Sequence, residues 1–340
     1  MSKFNVTLVF EDGRSESILA DENDTIYMAC LRNKIRILTD CLEGACATCK
    51  GHCVEGEYDM DDVSDEALSA EEAAQREVLT CQMHVRSDCV IEFPYEAKLA
   101  IKAEPRSWNC KVMAVEKISS TVQRLDIGPE VSNAEPPVFL PGQYVHLAVP
   151  GTDETRSYSF ANPPHETGTC SFFIKVLEQG AMSDYVRDRA QPGDEIQMTG
   201  PFGHFYLRNP ERPILMVAGG TGIAPMLSMF DHMIETGMIS QPVHLLVGAN
   251  DSAELFHLDV LEDYKSKGIP LTTEIAVVEG NEGWVGETGH VTALLRDELI
   301  AGGVDVYLCG PPPMIEAAES WLSDKGVDDK LVHAEKFLPS

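Results

Sequence analysis

Residues 40–53, DCLEGACATCKGHC, hold four of the chain's ten cysteines. Cys41, Cys46 and Cys49 follow the spacing C-x4-C-x2-C, and Cys81 comes after thirty-one intervening residues. This is the spacing of a plant-type 2Fe-2S site, in which four thiolates hold two irons. A tight loop must wrap the irons and sulfides with its backbone N–H groups aimed at sulfur. Small residues, here Gly44, Ala45 and Ala47, let the backbone come close, and those hydrogen bonds help set the reduction potential. The expected metal ligands are therefore Cys41, Cys46, Cys49 and Cys81.

A structural zinc site is the rival reading, but it usually shows two C-x2-C knuckles and this stretch has one. A Rieske centre needs histidines on one iron. His52 has no second histidine at suitable spacing, the nearest being His84 and His146. Cys53 is surplus to a four-ligand cluster and reads as a small buried residue on an outgoing strand. Cys30, Cys89, Cys110 and Cys170 stand isolated in the sequence and read as packing residues.

Outward from this loop, a chain of 340 residues predicts two or three domains. With 44% apolar and 24% charged residues and no low-complexity tract it reads as globular. No run of about 18 apolar residues occurs, so no membrane partner is expected. The start, MSKFNVTLVFEDG, enters an alternating strand pattern without the apolar segment of a signal peptide. A cytoplasmic location is expected, where clustered thiols serve metals more often than disulfides. The net charge of −29 excludes nucleic acid as an expected partner. Residues 57–72 carry eight carboxylates and no base. They read as a solvated surface or as a docking face for a basic protein.

Three blocks are expected: 1–98, 99–208 and 209–340. The first is β-rich: NVTLVF and RSESIL flank a Glu11-Asp12-Gly13 hairpin signal, a short helix follows with Asp24 as its cap, and Ser69 with Glu72 fits a capping box. The second shows short strand-like runs with turn residues between them, the rhythm of a small antiparallel barrel, interrupted by a helix at MSDYVRDRA. The third alternates strand and helix, starting at PILMVAGG, VHLLVGA and DVYLCGP, which predicts a parallel sheet of nucleotide-binding type.

Two motifs carry the chemistry of the later blocks. ETRSYSFAN at 154–162 contains R-x-Y-S, which resembles the flavin-binding signature of the ferredoxin–NADP reductase superfamily. The resemblance implies that Arg156 meets the flavin pyrophosphate, that Tyr158 lies on or beside the isoalloxazine and that Ser159 hydrogen-bonds near N5. Ser157 completes the run. A guanidinium fork suits phosphate and an aromatic face suits a flat ring. Gly180, Met182 and Ser183 open a helix whose N-terminus can cradle phosphate, and Lys175 can add charge there.

VAGGTGIAP at 217–225 follows a strand and precedes a helix, and it matches the GGTGxAP turn of the same superfamily rather than G-x-G-x-x-G. By that resemblance Gly219, Gly220 and Gly222 admit a dinucleotide, and Thr221 lies near nicotinamide and flavin. In YLCGPPPM at 307–314, Cys309 abuts the nicotinamide with Gly310 beside it. The segment GANDSAELF carries no base against a 2′-phosphate, and Asp251 and Glu254 are available for a ribose diol, so NADH is expected over NADPH. The tail HAEKFLPS matches an ending of E-x-aromatic, with Glu335 and Phe337 in those places. Together with Ser159 and Cys309 they surround the expected site of hydride transfer. The chain departs from the pattern by continuing past Phe337.

Taken whole, the chain resembles the reductase components of multicomponent oxygenases. CLEGACATCKGHCVEGEYDM, ALSAEEAAQREVLTCQM and GTDETRSYSF are similar to reductases of benzoate, toluate and anthranilate 1,2-dioxygenases. CATCK, PGTD, YLCGPPPMI and EKFLPS are also similar to reductases of soluble di-iron monooxygenases acting on methane or alkenes. The resemblance implies a β-grasp ferredoxin domain, an antiparallel β-barrel flavin domain holding FAD and an α/β nicotinamide domain. It implies electron flow from NADH through FAD and the cluster, one electron at a time, to an oxygenase component that docks transiently. The competing readings are a stand-alone NADH-acceptor oxidoreductase and a zinc- and nucleotide-binding regulator, the latter colourless and free of flavin.

Overall fold

A computed structural model of the chain describes residues 2–102, 106–130, 136–165, 167–208, 210–281 and 283–337. Contacts divide it into two compact units, residues 1–105 with 202–204, and residues 106–201 with 205–340.

The first unit opens on a hairpin of β1 (Lys3–Phe10) and β2 (Ser15–Asp21). Period-two alternation puts Val6, Leu8 and Phe10 into the core. Helix α1 (Ile26–Arg32) is capped by Thr25 rather than by the expected Asp24. The Thr25 residue keeps an extended backbone and its hydroxyl accepts from the Met28 N–H at 3.2 Å, so the helix starts one residue late. Then come β3 (Lys50–Glu55), β4 (Tyr58–Met60), α2 (Ala70–Ala74), β5 (Glu77–Leu79), β6 (Met83–Val85), β7 (Cys89–Phe93) and α3 (Ala97–Lys102). Helix α2 carries the expected capping box: Ser69 Oγ accepts from the Glu72 N–H, and Glu72 Oε2 from the Ser69 N–H at 2.8 Å. The main sheet runs β2-β1-β7-β3-β5, with β1 and β7 parallel and its other pairs antiparallel. This is the β-grasp arrangement.

The second unit begins with strands β8 (Arg106–Lys117), β9 (Val122–Pro129), β10 (Tyr144–Ala148), β11 (Thr155–Ser159) and β12 (Cys170–Lys175), helix α4 (Ala181–Asp188) and β13 (Glu195–Phe202). They form one curled sheet in the order β11-β10-β13-β8-β9-β12. Its edges come back together just past β11, where the Ala161 N–H donates to the Ser171 carbonyl at 2.8 Å. Val112, Leu125, Leu147 and Phe172 fill the inside.

The parallel sheet follows: β14 (Ile214–Gly219), α5 (Ile223–Thr236), β15 (Val243–Asp251), α6 (Leu258–Ser266), β16 (Leu271–Glu279), β17 (Glu287–Thr288), β18 (Asp305–Gly310), α7 (Pro312–Asp324) and β19 (Val332–Lys336). The order is β17-β16-β15-β14-β18-β19, so the chain reverses direction across the sheet between β14 and β18. All of β14 is buried, as a central strand covered on both faces must be. Phe230 of α5 is fully buried beneath it; a side chain of that size contributes about 1.5–3 kcal/mol on burial. The strand-helix units headed by β14, β15 and β18 are those expected. Strands β16 and β19 were not anticipated: LTTEIAVVE mixes threonines and carboxylates into its run, and VHAEK lacks apolar alternation. No helix among the described residues is long and apolar enough to cross a membrane.

Candidate functional site

In the cysteine loop the backbone itself is shaped toward sulfur. Leu42, Gly44 and Ala47 adopt φ of 62°, 74° and 58°, a region costly for residues with a Cβ. At Gly44 a Cβ would also stand 2.8 Å from the Asp62 carbonyl oxygen. The turns direct the N–H groups of Glu43 and Ala45 at Cys41 Sγ, both at 3.4 Å, and that of Cys41 at Cys46 Sγ at 3.4 Å. The Gly44 and Thr48 N–H groups reach the sulfurs of Cys81 and Cys46. Cys81 is brought in from β5 by Thr80, whose Oγ1 and N–H both donate to the Cys49 carbonyl, at 2.8 and 3.2 Å.

The thiols meet as two pairs, Cys41 with Cys46 and Cys49 with Cys81. Within each pair the mutual hydrogen bond holds one thiol down, Cys41 to about 5 and Cys81 to about 7, and pushes its neighbour up. Among the described residues no three His, Cys, Asp or Glu side chains converge as a single ion would need. Two sulfur pairs ringed by N–H donors fit two irons bridged by sulfide better than one zinc.

Strand β11 carries the R-x-Y-S run. Its alternation sets Arg156 and Tyr158 on one face and Ser157 and Ser159 on the other. The Arg156 guanidinium pairs with Glu154 and donates to the Thr155 carbonyl at 2.8 Å. Tyr158 packs against the barrel core, where burial pushes its phenol up. Ser157 Oγ meets His146 Nδ1 at 3.0 Å. At the start of α4, Gly180 is the N-cap and no side chain caps the first turn, so its N–H groups stay available to an anion. Ser183 Oγ accepts from the Leu177 N–H at 3.0 Å and tightens the entry to that turn. The Met182 side chain lies in the barrel core, leaving its backbone N–H for a ligand. Lys175 pairs with Glu254 at 3.5 Å, on the nucleotide side of the unit rather than at α4.

The glycine turn and the cysteine turn lie against each other at the sheet's reversal point, where open α/β sheets bind ligands. A Cβ at Gly222 would stand 2.1 Å from the Cys309 carbonyl oxygen, so that position accepts nothing larger than glycine. Gly219 packs on Pro311 and Met314, and Gly310 packs on Gly219. Thr221 lies in the 3-10 turn between β14 and α5. A crevice beside it is lined by Gly220, Gly248, Glu254, Leu255 and Phe256. Asp251 is turned inward to its own loop, accepting from the Ala253 N–H at 2.7 Å and from Asn281 Nδ2 at 2.6 Å.

The tail completes the pocket. Strand β19 pairs with β18 so that Glu335 lies opposite Cys309 and Lys336 opposite Gly310. The Phe337 N–H donates to the Gly310 carbonyl at 2.8 Å. Ser159 Oγ donates to Glu335 Oε2 at 2.8 Å, joining barrel to tail. Cys309 is fully buried, and burial and then the Glu335 carboxylate push its thiol well up, so it is a neutral neighbour and not a nucleophile. The last three tail residues, 338–340, lie outside the described residues.

Several participants carry no signal of their own in the sequence. Gln82 Nε2 donates to the Leu42 carbonyl at 2.9 Å and to Cys81 Sγ at 3.7 Å. Its one clue is adjacency to a candidate ligand. Ser228, fully buried on the apolar helix α5, donates to the Asn162 carbonyl at 2.8 Å and ties the segment after β11 to the nucleotide block. A serine on an apolar face was the available hint. Cys89, expected to be isolated, instead meets Cys53.

Residues 9–86 match the 2Fe-2S iron-sulfur cluster binding domain, residues 109–206 the oxidoreductase FAD-binding domain and residues 216–320 the oxidoreductase NAD-binding domain. The anthranilate 1,2-dioxygenase electron transfer component of Acinetobacter baylyi is 37% identical over 340 residues, spanning 99% of this chain and 98% of that one. The propane 2-monooxygenase reductase component of Mycolicibacterium goodii is 36% identical over 328 residues, spanning 93% and 92%. The crystal structure of the Amycolatopsis cytochrome P450 reductase GcoB, 28% identical, is similar over 99% of both chains with a TM-score of 0.72. With its pattern of cysteine pairs, flavin strand and nicotinamide turn, the chain belongs to the electron-transfer reductase components of oxygenases, oxidoreductases that carry electrons from NADH through FAD and a 2Fe-2S cluster to an oxygenase.

Proposed function

We propose that Cys41, Cys46, Cys49 and Cys81 hold the cluster, that the barrel block 99–208 holds FAD and that the block 209–340 holds NADH, with hydride transfer beside Ser159, Cys309, Glu335 and Phe337. The observation that carries this reading is the meeting of Ser159 with Glu335 next to Cys309, three segments converging at the sheet's reversal point. FAD held here would supply the exchange between two-electron and one-electron chemistry, and the cluster a one-electron relay.

The chain's own work is positioning. Arg156, paired with Glu154 in the structure, would hold the flavin pyrophosphate, and the open first turn of α4 would add N–H donors. Ser159 gives its one O–H to Glu335, so at the reacting edge of the ring its Oγ would serve as a hydrogen-bond acceptor. The glycine turn lets the dinucleotide backbone approach, and the neutral Cys309 packs beside the nicotinamide. Around Cys41 the N–H donors point at sulfur and would stabilise the added negative charge of a reduced cluster held there.

Strand β15 ends on Asp251 with Glu254 just after it, and Lys175 is engaged by Glu254 rather than left for a 2′-phosphate, which supports NADH as the donor. The acceptor is an aromatic-ring dioxygenase or a soluble di-iron monooxygenase that docks transiently through a basic surface. Exposed Asp62, Asp65, Glu66 and Glu71 in the loop and helix beside Gly44 support that charge match. Anaerobic reduction of the holoprotein tests the reading. NADH should bleach flavin and cluster together, with kcat/KM at least about tenfold above that for NADPH. Adding candidate oxygenases should then reoxidise the protein only with the true acceptor. Comparable use of both nucleotides would remove the donor assignment.

A further inference from the structure

The first unit holds a second sulfur pair away from the cluster loop. Cys53 lies on β3 and Cys89 begins β7, and the two strands pair antiparallel. Cys53 stands opposite Ile91, and the register slips before Glu55. That bulge brings Cys89 across to Cys53, and the thiols hydrogen-bond to each other. The approach depends on position 56 being glycine, since a Cβ there would stand 2.4 Å from Cys89 Sγ.

Arg76, an exposed residue, covers the pair. Its Nη2 donates to Cys53 Sγ at 3.4 Å and to the Gly56 carbonyl at 2.5 Å, and its Nε to the Cys53 carbonyl at 2.7 Å. The Cys53 N–H returns a bond to the Arg76 carbonyl at 3.0 Å. The guanidinium also rests over the Tyr58 ring, 5.3 Å from its centroid. Arg76 keeps φ at 68°, unusual for a residue with a long side chain, so several contacts hold it in that place.

The other thiols outside the cluster loop behave differently. Cys30, Cys110 and Cys170 lie in apolar packing, and burial pushes them up, Cys30 to about 12 and Cys110 to about 11. Cys53 is instead held down, to about 6, by the hydrogen bond from Cys89 and then by Arg76, while the same bond and burial push Cys89 up. Within this contacting pair one sulfur is held toward the thiolate and the other away from it; both are buried, at 0% and 3% exposure, with the exposed Arg76 lying over Cys53.

We propose that Cys53 and Cys89 are a redox-active dithiol, a modification site separate from the cluster, at which hydrogen peroxide makes a disulfide. The Cys53 thiolate attacks one peroxide oxygen, the O–O bond breaks, and the departing hydroxide takes a proton to leave as water. Cys53 is then a sulfenic acid. The Cys89 sulfur attacks Cys53 Sγ, the S–O bond breaks, and the thiol proton leaves with hydroxide as a second water. Two thiols and one peroxide give one disulfide and two waters. The bridge closes residues 53–89 into a loop that includes Cys81 and the acidic run.

The test uses holoprotein treated anaerobically with stoichiometric hydrogen peroxide, alkylated and digested with trypsin. Cleavage after Arg36, Lys50, Arg76, Arg86 and Lys98 puts Cys53 on peptide 51–76, Cys81 on 77–86, Cys89 on 87–98 and the loop cysteines on 37–50. The expected result is a reducible 51–76/87–98 species that forms before the visible absorbance of the cluster bleaches. In Cys89→Ser, dimedone should trap Cys53 as the sulfenic acid. Arg76→Gln should slow the reaction only about twofold at pH 7 but about tenfold at pH 5, because a rise of one pKa unit costs the full factor only below the Cys53 value of about 6. Recovery of both cysteines as alkylated thiols after the cluster has bleached overturns the proposal. So does linkage of either one to 37–50 or 77–86.

Discussion

Cys41, Cys46 and Cys49 sit in one loop, whereas Ser159 and Glu335, hydrogen-bonded at 2.8 Å, lie 176 positions apart. The cluster site takes its geometry from local turns: left-handed residues at 42, 44 and 47 and N–H groups aimed at sulfur from positions 41, 43 and 45. The proposed hydride pocket takes its geometry from strand pairing. Glu335 is beside Cys309 because β19 adds to β18 in one register. Damage to the first should therefore stay local and remove a cofactor. Damage to the second should leave cofactors bound and spoil their alignment.

The sharpest break of this contrast is Cys81→Ser. Iron should be lost while FAD content and flavin reduction by NADH persist, and oxygenase-linked turnover should fall more than about 100-fold because the one-electron carrier is gone. Iron assay, flavin assay and coupled turnover check it together; a full iron complement in the variant would put the fourth ligand elsewhere.

A smaller effect is expected from Gly222→Ala, whose Cβ must push the Cys309 carbonyl aside from 2.1 Å. Flavin reduction by NADH, followed by stopped flow, should slow about 100-fold, the usual consequence of roughly 1 Å of misplacement. The cluster spectrum should not change. A wild-type rate would mean that the glycine turn and Cys309 do not share the nicotinamide site.

The smallest effect belongs to Ser159→Ala, which removes one hydrogen bond to Glu335. A net loss of about 1.4 kcal/mol predicts roughly tenfold slower hydride transfer with FAD still bound. If only KM for NADH moves, Ser159 serves nucleotide binding and not the reacting edge.

Much of the architecture was legible because it is written in short-range patterns. The Ser69–Glu72 capping box, the alternation of β1 and the apolar run of β14 each depend on neighbours a few positions away. The cap of α1 was misplaced by one residue because Asp24 and Thr25 are both competent and only the backbone conformation chooses between them. Strand β19 was illegible because VHAEK has no apolar alternation; it is a strand because β18 offers it an edge. Cys89 looked solitary because its partner is thirty-six positions earlier, and a bulge across two strands unites them.

The sequence by itself determined which residues are the candidates for the chemistry: the cysteine spacing, the R-x-Y-S run and the glycine turn are local and survive as patterns. Only the tertiary structure decided which distant groups meet, placing Glu335 against Ser159 and Cys309, Cys53 against Cys89, and Lys175 on Glu254. The physical reason is register. Side chains alternate across a strand, so a slip of one residue turns every group to the opposite face, and what selects the register is the packing of the whole sheet rather than any short stretch of chain.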